Sequence, residues 1–347
     1  MKFNYIKLLL ESYIKGLDIL ELREPNIRTR ASFSIFHQGE DFALSMFKDG
    51  KKTRDFERDF ISKDINKKLD ILLLKMKEYS LGHKFFELRF LESSSDLRIT
   101  LLYHKNILDP KCRNDFKALY EKLKECFKLD LIILAKKQKL VFGKDYCLHE
   151  SCGVRYHLSD ECFTQPSLLM NEKMQAHILN EIKKDADRGL VKDYLEAYCG
   201  CGNFTFLLAP YFSKVLSTEL SKKAIFFAQE NMRLNKVENV FLARLNAQEL
   251  VQAINKDREF KRLAGCDLSS YDFSHFLVNP PRAGLEDVVL ELAKKFSKII
   301  YISCNPLSLK RDLELLKSTH KVISCALFDQ FKNSDFAESI ICLEKYI

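Results

Sequence analysis

Glu196-Ala197-Tyr198-Cys199-Gly200-Cys201-Gly202-Asn203-Phe204 reads as the end of a buried strand running into a glycine-bearing turn. Two glycines spaced by one residue let the backbone turn tightly and come close to a ligand at the C-terminal edge of a sheet. A third glycine, as in dinucleotide-binding turns, is missing: Thr205 stands in its place. The next apolar run after Gly202 ends at Glu219, where a carboxylate can accept both hydroxyls of a ribose. Nicotinamide and flavin dinucleotides stay open on this evidence. A glycine loop too short for a pyrophosphate cradle favours S-adenosylmethionine, and the bland alternative is a strand–helix turn with an incidental glutamate.

Outward from this stretch, apolar runs alternate with helical segments. Strands are predicted at Tyr194–Tyr198, Lys214–Thr218, Asn239–Ala243, Phe273–Val278 and Lys298–Ser303. Two more fall near Lys321–Phe328 and Glu338–Leu343. Helices are predicted near 203–210, 221–235, 246–255, 286–297 and 307–317, preceded by one that Pro166 opens and that runs to about Ala186. Such alternation implies right-handed crossovers and a mostly parallel, doubly wound sheet. The last two strands have no helix between them and should pair antiparallel at one edge.

Before residue 160 the pattern differs. Ala31–Phe36 with Phe42–Phe47, Phe85–Leu91 with Leu97–Tyr103, and Leu129–Ala135 with Lys139–Phe142 read as three hairpins. Amphipathic helices are expected at 56–79 and 112–127. The expected architecture is therefore an α+β domain with an antiparallel sheet at 1–160, then an α/β domain with a Rossmann-like sheet at 161–347.

Charge follows the same division. Residues 1–160 carry 31 Lys and Arg against 24 Asp and Glu, and the remainder 25 against 24. Nearly all of the +8 excess thus sits in the first half, which suits a polyanionic partner as well as an ordinary lysine-rich surface. No run approaches the ~18 apolar residues of a membrane span, and no targeting signal is read at the start. Eleven cysteines without a secretory signal are expected to be reduced thiols in the cytoplasm. Cys199-Gly200-Cys201 lacks a second pair at ligand spacing, so no metal site is expected.

Two loops carry the chemistry. Asn279-Pro280-Pro281-Arg282 follows the fourth strand of the second half, and consecutive prolines fix a rigid loop there. Arg282 suits a phosphate or a base oxygen. Tyr301-Ile302-Ser303-Cys304-Asn305-Pro306 ends the fifth strand. Backbone N–H groups at the helix that Pro306 opens would favour a thiolate. A cysteine at a strand end is commonly core, and the proline–arginine loop beside it favours a reactive thiol instead.

Taken together, FTQPS, LEAYCGCGNF, STEL, NPPRAGL, YISCNP and FDQF resemble the tRNA (uracil-5-)-methyltransferase family across nearly the whole second half. RASFSIFH and KFFELRFL…LLYHK resemble that family's RNA-binding domain more loosely. The resemblance implies a class I methyltransferase sheet, S-adenosylmethionine as cofactor, and C5-methylation of the T-loop uridine of tRNA, with tmRNA as a second substrate. It implies Cys304 as covalent nucleophile and Glu338 as base. It places cofactor contacts at Gln165, Tyr198, Asn203, Glu219 and Asn279. Arg282 joins Phe86, the candidate stacking platform, and Arg28 and Arg30, candidate phosphate contacts, on the substrate side. Asn279 stands where the family usually has Asp, and Asp335-Phe336-Ala337-Glu338-Ser339 departs from the family's pattern around its base. No cysteine precedes Cys112, unlike the cluster-bearing relatives that modify ribosomal RNA. A monomer is expected. The rival readings are a non-catalytic tRNA-folding factor and a uridine C5 methyltransferase acting on ribosomal RNA.

Overall fold

A computed structural model describes residues 2–23, 28–48, 50–331 and 336–346. The chain is a mixed α/β protein with two large sheets, divided between two compact units: residues 1–25, 150–156 and 169–347 in the first, and 26–149 and 157–168 in the second.

The first unit holds eight strands: β1 (Ile19–Leu22), β2 (Asp193–Ala197), β3 (Val215–Thr218), β4 (Val240–Ala243), β5 (Phe273–Val278), β6 (Lys298–Ser303), β7 (His320–Phe328) and β8 (Glu338–Lys345). Their spatial order is β1-β7-β8-β6-β5-β2-β3-β4. From β6 to β4 every pairing is parallel. The pairing of β7 with β8 is antiparallel, as expected, but the pair does not close the sheet. Instead β8 inserts between β6 and β7, and β1 pairs parallel to β7 on its outer side.

That edge strand changes the division of the chain. The N-terminal segment, through Leu22, folds with the second half of the chain rather than with residues 28–149. Lys2–Ile14 is a helix that buries Phe3, Ile6, Leu10 and Ile14, a one-face spacing of three and four. They join the core formed by Leu195, Leu216, Phe276, Ile299 and Leu327. At ~1.5–3 kcal/mol for each large apolar side chain removed from water, this docking is a substantial part of the unit's cohesion.

The second unit is a seven-stranded sheet covered by the helices Lys63–Glu78 and Pro110–Cys126. All three expected hairpins form. The sheet is not purely antiparallel, because Leu97–Tyr103 and Asp130–Ala135 pair in parallel across the crossover helix Pro110–Cys126. Ser62 and Asp109 cap the two helices, so the first starts at Lys63 rather than at 56. Helix Leu168–Asp187 of the first unit likewise starts after Pro166, whose carbonyl accepts from the Thr29 and Arg30 amides within the second unit.

Segment 157–168 belongs to the second unit for an electrostatic reason. Arg98 is fully buried in the strand Leu97–Tyr103, and its guanidinium reaches Asp160 at 2.5 Å, Asp145 at 2.8 Å and Glu161 at 3.2 Å. Arg30 adds hydrogen bonds to the Thr164 carbonyl and hydroxyl and to the Asp160 carbonyl. Arg98→Met leaves Asp160, itself buried, without its counter-charge. It is expected to cost about 3–5 kcal/mol, read as a lowered denaturation midpoint of the second unit.

Candidate active site

The parallel strands of the first unit end together. Ala197 is level with Thr218 on one side and Val278 on the other, so Tyr198, Glu219 and Asn279 lie side by side just past the strand ends. Strand β6 runs two residues farther, since Val278 is level with Tyr301, and delivers Cys304. With ~4.8 Å between neighbouring strands, the row from Glu219 to Cys304 spans three spacings, roughly 14 Å.

At the β2–β3 end, Tyr198 adopts φ of +62°, a left-handed conformation that costs a non-glycine residue roughly 1–2 kcal/mol and that ligand-binding loops retain. Gly200 follows at φ of +57°, with open space where a side chain would stand. Glu219 is oriented by backbone alone: one carboxylate oxygen accepts from the Gly200 N–H at 3.1 Å and the other from the Ser221 N–H at 2.7 Å. Each oxygen keeps a lone pair for an outside hydroxyl. Asn279, half-buried, makes no side-chain hydrogen bond among the described residues. A backbone left open at Gly200, a pre-oriented carboxylate and an uncommitted amide fit a nucleoside cofactor. Asn203, beside them, is hydrogen-bonded within the unit. Its amide pairs reciprocally with Asn171 at 2.8 and 2.9 Å, and its carbonyl accepts from Gln175 and Tyr156, which pins the glycine loop to helix Leu168–Asp187.

At the β6–β8 end, register decides. Ser303 is level with Ser339 across the antiparallel ladder, so Cys304, one residue on, stands opposite Glu338, one residue back. Arg282 lies beside both. Burial pushes the Cys304 thiol up and a charged Glu338 pushes it further, while the Arg282 guanidinium nearby pulls it down. Burial pushes Glu338 up to about 7, against the pull of Arg282. Arg282 also stacks over the Phe336 ring, 5.3 Å from its centroid.

Three residues that the sequence reading missed hold these loops. Asn305 caps helix Pro306–Leu316 through the Leu307 N–H and donates to the Arg282 carbonyl at 2.9 Å, joining the cysteine loop to the proline loop. Asp312, fully buried, accepts from the Tyr301 hydroxyl at 2.5 Å and the Leu285 N–H at 2.8 Å. Gly284, at φ of +82°, leaves room for that carboxylate, which a side chain there would meet at 2.7 Å. An asparagine after the nucleophile and before Pro306 is a legible cap signal. Asp312 carries no local signal, because its burial depends on Gly284, a helix and a strand earlier in the chain.

The second unit carries Gln165, Phe86, Arg28 and Arg30. Gln165 is buried in segment 157–168. Phe85 is core, whereas Phe86, at a bulge between Phe85 and Glu87, is half-buried and stacks on exposed His104 with centroids 3.8 Å apart and planes 13° from parallel. Arg28 sits over the Phe60 ring at 5.5 Å. Arg30, a candidate phosphate contact, donates to the Asp160 carbonyl and to Thr164, because segment 157–168 returns beside it. Among the described residues no three His, Cys, Asp or Glu converge as a metal site, and no helix is long and apolar enough to cross a membrane.

Over residues 2–346 the chain matches the family described as tRNA (Uracil-5-)-methyltransferase. The tRNA/tmRNA (uracil-C(5))-methyltransferase of Campylobacter lari is 42% identical over 316 residues, covering 90% of this chain and 88% of that one. Its counterpart from Campylobacter jejuni serotype O:23/36 is 40% identical over 348 residues, covering 96% and 93%. The crystal structure of Pyrococcus abyssi tRNA (uracil-54, C5)-methyltransferase in complex with S-adenosyl-L-homocysteine has a TM-score of 0.65 at 18% identity and covers 99% of this chain and 81% of that one, a likeness of fold.

Proposed function

The chain belongs to the tRNA (uracil-5-)-methyltransferase family, and we propose that Cys304 and Glu338 are the nucleophile and the base with which it methylates uridine. It is an S-adenosylmethionine-dependent tRNA/tmRNA (uracil-C5)-methyltransferase. One observation carries the assignment of roles: the antiparallel register that sets Glu338 opposite Cys304, with Arg282 beside both.

C5 of uracil is a weak nucleophile. The Cys304 thiolate adds to C6, forming a C–S bond and moving the C5=C6 electrons onto C5 and the O4 carbonyl. Arg282 favours the thiolate by its charge. When bound, S-adenosylmethionine supplies the electrophilic methyl that the activated C5 takes up. Glu338 then removes the C5 proton, the electrons re-form C5=C6, and the C–S bond breaks to return the thiolate. A carboxylate near 7 suits that transfer at neutral pH. Tyr198, Glu219 and Asn279 would hold the cofactor, Glu219 by its ribose hydroxyls, and the resemblance adds Gln165 to the proposed cofactor contacts.

The second unit, basic in sequence, would bind the RNA. The target uridine must leave its stack to reach Cys304, and the Phe86–His104 pair is a platform for an unstacked base. Phe86→Ala and His104→Ala are each expected to weaken RNA binding by about 1–3 kcal/mol with the fold intact, checked by titration of labelled tRNA. Arg28 is the arginine we assign to phosphate. We take the target to be the T-loop uridine at position 54, in the cytoplasm, with the monomer as working unit. Mapping the methyl group on unmodified tRNA, tmRNA and ribosomal RNA fragments tests this. Methylation confined to the T-loop is expected, and preference for the ribosomal fragments would overturn the substrate assignment.

A further inference from the structure

The N-terminal helix does more than cover the sheet edge. Its first described residue, Lys2, lies only 15% exposed and spans to the far end of the chain. The ammonium meets an Asp329 carboxylate oxygen at 2.7 Å and also donates to the Phe331 carbonyl. Asp329 is held from a second side, because its N–H donates to the Leu22 carbonyl at the end of β1 at 3.0 Å. The same carboxylate accepts from the Phe331 N–H. Beyond Asp329, the Gln330 side chain is fully buried against Met174. The chain leaving β7 is therefore anchored at Asp329, Gln330 and Phe331 in succession, the first and last of them by the N-terminal segment.

That anchoring protects one rung of the sheet. Phe328 is level with Glu338, the last pair of the β7–β8 ladder. A terminal rung frays unless the chain beyond it is tied down. Among the described residues the Glu338 side chain has no hydrogen-bonded partner, and the charge facing it is Arg282, so its place depends on backbone.

We infer that Lys2 is a positioning residue for the base: by clamping Asp329 and Phe331 to the N-terminal helix, it holds shut the Phe328–Glu338 rung and so steadies Glu338 where the β6–β8 register sets it opposite Cys304. This rests on the roles given above to Cys304 and Glu338. Loss of the clamp should slow the step that needs the base more than the steps that do not. Lys2→Met is expected to lower turnover roughly three- to tenfold, to raise the fraction of enzyme held as a denaturation-resistant RNA adduct during turnover, and to leave tRNA affinity unchanged. Lys2→Arg should restore both. Asp329→Asn should reproduce the defect, and the double variant should add little to either single one.

Turnover unchanged in Lys2→Met would overturn the inference. So would slower turnover without more adduct, the mark of a generally loosened fold. Glu338→Gln, run alongside, separates this from the roles it rests on. If Glu338→Gln accumulates adduct and Lys2→Met does not, the clamp is wrong and the base stands. If Glu338→Gln accumulates none, the assignment of the base itself fails, and the clamp with it.

Discussion

Cys304→Ala is expected to lower methyl transfer by at least about 10⁴-fold, because a reaction that proceeds through a covalent intermediate has no parallel route once the nucleophile is gone. Binding should survive. The thiol is half-buried at the end of β6 and makes no ladder contact, and the features assigned to RNA, Phe86 and His104 among them, lie in the other unit. Methylation assayed with radiolabelled donor, beside tRNA titration, checks both halves. A variant retaining a tenth of the activity would show that the thiol is not the nucleophile. A variant that lost binding as well would leave activity loss unable to identify it.

Glu338→Gln carries the second large effect, and it has two signs. Turnover should fall about 10²–10⁴-fold, with adduct accumulating because attack precedes the proton removal that the amide cannot perform. Stability should move the other way. The folded protein holds Glu338 at about 7, above its ordinary 4.5, because burial disfavours the charge. A group raised on folding contributes stability below its unfolded value and loses it as pH rises through the folded one. Between about pH 4.5 and 7 this carboxylate therefore turns into a liability, worth roughly 3 kcal/mol above that window. Glu338→Gln should then unfold later than the wild type at pH 8 and about equally at pH 4.5. In the active enzyme the same group needs its charged form, so wild-type turnover should rise with pH through about 7. It should keep rising above that as the elevated thiol of Cys304 ionises. The variant should lack the lower limb.

The parallel strands and the row of residues at their ends were legible because each strand is a short apolar run closed by its own punctuation, at Gly200, Glu219, Pro280 and Pro306. Cys304 was legible for the same reason. The features that stayed hidden depend on partners far away in the chain. Ile19–Leu22 is a short run, and it is a strand only because Phe328 and its neighbours lie beside it. The helix before it shows three consecutive leucines whose facing cannot be told without the sheet; Leu8 proves exposed and Leu10 buried. The placement of β8 inside the sheet, not at its edge, sets Glu338 opposite Cys304, and no local pattern distinguishes the two arrangements. Likewise segment 157–168 looks like a lead-in to helix Leu168–Asp187, and it is the buried guanidinium of Arg98, with Arg30, that ties Asp160 to the other unit.

The most direct test of the covalent role is to trap it. The protein is incubated with S-adenosylmethionine and unmodified tRNA carrying 5-fluorouridine, then denatured. Fluorine at C5 cannot leave as a proton, so Glu338 has nothing to remove and the C–S bond should persist. A protein–RNA adduct that survives denaturation and is absent from Cys304→Ala is the expected result. No adduct from wild-type protein that binds this tRNA and methylates its unfluorinated form, or an adduct that persists in Cys304→Ala, would contradict it.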